Sequence, residues 1–189
     1  MSHGSASALW RRLDTPGYDA AWLEQSPTGW TLRGTAVFLH ANGPACLTYE
    51  VTCAADWTTT RGSVRGSLGA AAVHYDVVRG ITGWTLNGQR VPDIDDIVDL
   101  DLGFTPATNF LQLSRIGLAV GASTAFDVAW LEGECTSGDL VRLPQRYERR
   151  TPESYWYESP ATGYAALLVV GRDGFTRQYP GLWDAEDGT

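Results

Sequence analysis

The chain has 189 residues and a formal net charge of −8, with 43% apolar residues, 8 Trp, 8 Tyr and 5 Phe. It is too apolar and aromatic to be disordered, and too acidic for general binding to nucleic-acid phosphates. All 14 basic residues are Arg, which excludes Schiff-base, P-loop and kinase-type lysine chemistry.

In chain order, residues 1–8 read as a flexible tail. They hold neither the basic start nor the apolar run of a signal peptide, and no later stretch approaches the roughly 18 apolar residues of a membrane-spanning helix. A cytoplasmic location without integral membrane contact is therefore expected. Asp14 to Gln25 reads as a short helix, because Tyr18, Ala21 and Trp22 recur at spacings of three and four. Beyond it the pattern is strand-like almost throughout. Thr48–Thr52, Ser63–Leu68, Leu111–Ile116 and Asp139–Leu143 alternate polar with bulkier residues, the period of half-buried strands. Asn42-Gly43-Pro44, Asn87-Gly88 and Arg172-Asp173-Gly174 punctuate these runs as turns. Val91 to Leu102 fits either period. Gly29-Trp30-Thr31-Leu32 recurs as Gly83-Trp84-Thr85-Leu86, by coincidence, by duplication or as two similar strand starts. The expected fold is mainly β: a single domain over 9–183, built as a curled antiparallel sheet resembling an open barrel, with few short helices and an acidic tail at 184–189.

Residues with catalytic potential are sparse. Cys46, Cys53 and Cys135 lack disulfide-framework or Cys-x-x-Cys spacing and read as buried thiols. His3, His40 and His74 lie in no nucleophile or zinc motif. Asp93, Asp95, Asp96, Asp99 and Asp101 crowd into nine residues. On an extended strand Asp99 and Asp101 would share a face about 7 Å apart. That is compatible with hydrolysis of a glycosidic bond or with a hard cation, although no EF-hand loop is present. The plainer reading is that these carboxylates cap turns and pair with arginine, with Arg115 as a partner. The scattered Trp and Tyr serve equally as core or as the lining of a pocket.

Asp99-Leu100-Asp101-Leu102-Gly103-Phe104-Thr105-Pro106-Ala107-Thr108-Asn109-Phe110-Leu111, followed by Ser114-Arg115-Ile116, resembles the signature of a bacterial family called putative glycolipid-binding proteins. Asp56-Trp57 with Arg61, Ile81 to Leu86 with Gly83-Trp84, Gln145-x-Tyr147 and Tyr179-Pro180-Gly181-Leu182-Trp183 resemble further elements of it, in order, over residues 9 to 183. The resemblance implies a curled sheet like that of bacterial lipoprotein carriers, around an apolar cavity, and brings no catalytic residues. The expected function is non-enzymatic binding of a glycolipid or other lipid, with no cofactor or metal and with the oligomeric state open. Candidate contacts are Trp57, Arg61, Trp84, Asp99, Asp101, Asn109, Arg115, Trp130, Tyr147 and Tyr179. Bracing of the Thr-Pro-x-Thr-Asn turn by its own Thr and Asn is favoured over ligand contact there. The alternatives are a sugar- or lipid-ester hydrolase using Asp93 to Asp101, and a structural or interaction protein with a filled core.

Overall fold

The computed structural model describes residues 6–132 and 138–186. His3 and Cys135 lie outside the described residues. Strands β1 (Ala6–Arg12), β2 (Gly17–Ser26), β3 (Gly29–His40), β4 (Gly43–Ala54), β5 (Thr59–Leu68), β6 (Ala71–Gly80), β7 (Gly83–Leu86), β8 (Gln89–Arg90) and β9 (Leu100–Leu102) precede helix α1 (Asn109–Ile116). Strands β10 (Ser123–Leu131), β11 (Leu140–Thr151), β12 (Ser154–Ser159), β13 (Tyr164–Val170), β14 (Thr176–Tyr179) and β15 (Trp183–Ala185) follow it. They form one curled, unclosed sheet in the order β8-β7-β6-β5-β4-β3-β2-β1-β15-β14-β13-β12-β11-β10-β9. Among the described residues only β9 against β10 is parallel. The mainly β, curled antiparallel expectation therefore holds.

Period-two alternation explains the strands. In β4, Ala45, Leu47, Tyr49, Val51 and Cys53 face the concave side and are buried, while the residues between them face out. The repeated Gly-Trp-Thr-Leu marks two similar strand starts. Both copies leave a two-residue turn, 27–28 before β3 and 81–82 before β7, and both bury the Trp.

Three local expectations are corrected. Asp14 to Gln25 is not a helix: β2 turns Asp19, Ala21 and Leu23 inward and leaves Tyr18 and Trp22 exposed. Tyr18 pairs across the sheet with Val37, so cross-strand neighbours override the helical spacing. Leu111–Ile116 is not a strand but most of α1, which is buried from Asn109 to Leu113. Its first five residues, polar Asn109 and Gln112 among them, are enclosed by protein, so that stretch carries no clean amphipathic stripe. Gly117 ends it at φ 53, a left-handed position that glycine adopts without strain, and its N–H returns to the Leu113 carbonyl. Val91 to Leu102 is a strap of turns that becomes strand only at β9.

That strap ties the two edges of the sheet together. Val91 N–H donates to the Trp84 carbonyl, and Trp84 Nε1 and Arg79 Nε donate to the Ile97 carbonyl at 3.0 and 2.9 Å. From the other edge, Arg142 of β11 bonds the Asp93 carbonyl and the Asp96 carboxylate. Continuing inward, residues 99–117 fill the concave face. Leu100 approaches Gly62 on β5, Phe104 meets Tyr49 edge-on at 5.7 Å, and Phe110 packs between Trp57 and Phe175. The concave side is thus not one open apolar cavity, because chain already occupies its middle.

One close approach anchors this plug to the sheet. The Tyr49 ring crosses directly over Gly34, where a side chain would place Cβ 2.2 Å from the phenol carbon, and reaches Asp19 with its hydroxyl at 2.9 Å. Thr105 of the plug donates to the same carboxylate. Gly34→Ala should therefore lower unfolding free energy by about 2 kcal/mol, with most of that cost gone in a Tyr49→Leu background. Urea titration of the double-mutant cycle checks this. Equal costs in both backgrounds would contradict it.

Candidate functional site

The Asp-x-Asp and Thr-Pro-x-Thr-Asn residues meet at the base of the plug. Arg115 clasps Asp99 with two nitrogens at 2.7 and 2.5 Å. Thr108 and Gln145 donate to the two Asp101 oxygens at 2.6 and 2.8 Å. Thr108 stands at the helix N-cap but forms no side-chain cap, because its hydroxyl serves Asp101. Thr105 accepts the Ala107 N–H at 3.0 Å and so braces its own turn, as expected. Asn109 does not: it reaches across to the Tyr147 hydroxyl at 2.5 Å, and Tyr147 donates on to Gln112 at 3.1 Å.

Against this base lies a half-open pocket of about 310 Å³. Its walls include Asp101, Thr105, Pro106 and Asn109 from the plug, Trp130 from β10, and Tyr179, Leu182 and Trp183 from the C-terminal strands. The opposite wall is β12–β13, with Tyr157, Ser159, Thr162 and Tyr164. Tyr157, Tyr164 and Tyr179 form a triangle with ring centroids 5.3 to 6.1 Å apart. Burial raises all three phenols, Tyr164 to about 12, so they remain neutral hydroxyls at physiological pH. The Ser159 hydroxyl is 2% exposed and completes no hydrogen bond of good geometry, leaving one buried polar atom in the wall unsatisfied.

Of the ten candidate contacts, Asp101, Asn109, Trp130 and Tyr179 meet in this pocket. Tyr147 and Asp99 lie behind it in the interior. Arg115 lines a separate depression of about 470 Å³ with Phe126 and Gln145. Trp57 lines a third pocket at the other end of α1. Trp84 is buried against the strap, and Arg61 is an outward-facing ion pair with Asp76 at 2.7 Å. Sequence reasoning missed Tyr157, Ser159, Thr162 and Tyr164. Their only signal was aromatic alternation beside a turn, which core strands share.

Cys46, expected to be buried, is an exposed thiol on β4, whose alternation turns it outward; Cys53, His74 and His40 have structural partners. Burial raises the Cys53 thiol to about 12, far from an active thiolate. His74 bonds Arg65 at 2.8 Å, and His40 accepts the Asn42 N–H at 3.0 Å. Among the described residues no three His, Cys, Asp or Glu side chains converge as metal ligands, and no helix is long and apolar enough to cross a membrane.

Residues 7–185 match the model of the family described as putative glycolipid-binding, and the chain belongs to that family. A DUF1089 family protein from Pseudomonas aeruginosa shares the fold at TM-score 0.69 and 22% identity, over 97% of this chain and 93% of that one. No curated protein matches the chain.

The buried carboxylates give a pH signature. Desolvation lifts Asp19 to about 6, against the opposing hydrogen bonds from Thr105 and Tyr49, and raises Asp99 and Asp101 as well. A carboxyl raised by folding contributes stability that is fully present below its unfolded value near 3.8 and is lost as pH rises through the folded one. Asp19→Asn should therefore gain on the wild type by up to roughly 3 kcal/mol between pH 4 and pH 7, in urea titrations across that range. A stability difference that is constant with pH would contradict the assignment.

Proposed function

We propose that this member of the putative glycolipid-binding family binds an amphipathic glycolipid or related lipid, with the hydroxylated head group held in the tyrosine pocket. The observation that carries the reading is convergence. Residues of two motifs some 75 positions apart in sequence, Asp101 to Asn109 and Tyr179 to Trp183, face the same 310 Å³ space. The chemistry of that space suits a sugar. Trp130 and the tyrosines offer flat faces to C–H surfaces, while neutral phenols, Ser159, Thr162 and Asn109 offer donors and acceptors beside the one carboxylate, Asp101. The volume fits one ring and its linkage better than a long acyl chain.

The hydrolase alternative is less supported. Both oxygens of Asp99 and of Asp101 are already taken by Arg115, Thr108 and Gln145, which suits bracing better than proton transfer to a substrate. The filled-core alternative has one observation in its favour, the plug in the concave face. It leaves the unsatisfied Ser159 and the tyrosine-lined opening without a role.

Calorimetric titration with hexyl glycosides of several sugars, below their micelle concentrations, tests the reading. At least one should bind. Trp130→Ala and Tyr179→Ala should each weaken it about tenfold or more, and Arg61→Ala should leave it unchanged. Absence of binding by every glycoside, or equal affinity in Trp130→Ala, would overturn it.

A further inference from the structure

The pocket at the opposite end of the helix differs in chemistry from the first. It measures about 590 Å³, within the usual range for small-molecule sites. Trp57, Leu113, Pro152, Tyr155 and Val170 make its walls largely apolar, and Gly117 opens its rim. Trp57 adopts φ 70, a region that non-glycine residues rarely occupy, and its ring stacks on Trp30 at 4.1 Å.

The charges in this wall are unbalanced. Glu153 pairs with Arg172 at 3.6 Å. Arg149 has no carboxylate partner among the described residues. Its two terminal nitrogens donate to the main-chain carbonyls of Leu118 and Pro152 at 2.8 and 2.9 Å, and its guanidinium sits 5.4 Å over the Tyr155 ring. In a chain of net charge −8, where most arginines meet a carboxylate, this is an uncompensated cation beside an apolar wall.

The two pockets share no lining residue. On β12 Tyr155 lines this one and Tyr157 the other, about 7 Å apart at strand rise. Tyr147, fully buried, stands between them, 4.8 Å from the Tyr157 ring and 6.4 Å from the Tyr155 ring. Hydrogen bonds to Asn109 and Gln112 fix it there.

We propose that this groove is a second, separate binding site, for a single-chain anionic amphiphile of the long-chain carboxylate class. The alkyl chain lies against Trp57, Leu113 and Val170, and the carboxylate meets Arg149. Charge complementarity selects the anion, because an uncharged chain would leave the guanidinium without a counter-ion in a partly desolvated wall. The site does not depend on the sugar-binding reading, since the two pockets share no lining residue.

Fluorescence titration with dansylamino-undecanoic acid tests this. The full chain should bind the probe, hexadecanoate should displace it, and hexyl glucoside should not. Arg149→Met should weaken the carboxylate about tenfold or more while changing hexadecanol affinity less than threefold. Ser114→Trp, which fills the groove from the helix surface, should abolish both and serves as a second variant if Arg149→Met folds poorly by circular dichroism. Arg61→Ala, on the outward face of β5, should leave probe affinity unchanged. Failure of the probe to bind, unchanged carboxylate affinity in a folded Arg149→Met, or displacement by hexyl glucoside would each overturn the proposal. The first two outcomes leave the tyrosine pocket untouched, and only the third merges the two sites.

Discussion

The fold depends on how an unclosed sheet covers its concave face. Fifteen strands that curl without closing would expose a wide apolar surface and unpaired edges. The chain answers with its own segment 99–117, and that segment stays in place because its two carboxylates are fully engaged. Asp99 is clasped by Arg115, and Asp101 is held by Thr108 and Gln145. Burying such groups is costly unless they are bonded, and here each bond also fixes geometry. Arg115 pins the end of α1 and Thr108 pins its start. Gln145 links Asp101 to β11, and Asp19 with Tyr49 repeats the device from β2 and β4. The plug is thereby held on both flanks of the sheet.

The plug also determines where open space remains. Helix α1 and Tyr147 divide the interior into two ends of unlike character. One end is lined by neutral hydroxyls and flat rings, the other by aliphatic and aromatic side chains with a single unbalanced arginine. A short motif serves both purposes: Asn109 faces the first pocket with its side chain, while four residues along the helix Leu113 faces the second.

Much of this was legible in the sequence, and the failures have physical causes. Period-two alternation in β4, β5 and β11 reports a sheet with one buried face, and the plainer reading of the Asp cluster, pairing with arginine and with Arg115 as a partner, is met at Asp99. The stretch 111–116 misled because Leu111, Gln112 and Leu113 are all buried in a helix enclosed by protein, where periodicity loses its meaning. Tyr18 and Trp22 misled in the opposite way: exposed aromatics on β2 produced a helical spacing that no helix uses. Within the site, Asp101, Asn109 and Tyr179 were accessible because they belong to ordered motifs. Tyr157, Ser159 and Tyr164 were not, because their role arises from the β12–β13 turn being folded against the C-terminal strands, a relation between distant segments that alternation does not encode.

A crystal structure of the protein soaked with hexyl glycosides would show whether the tyrosine pocket is the head-group site. A sugar ring is expected between Trp130 and the Tyr157–Tyr164–Tyr179 triangle, with a ring hydroxyl bonded to Ser159. A sugar ordered elsewhere on the molecule, with the pocket holding only water, would contradict it.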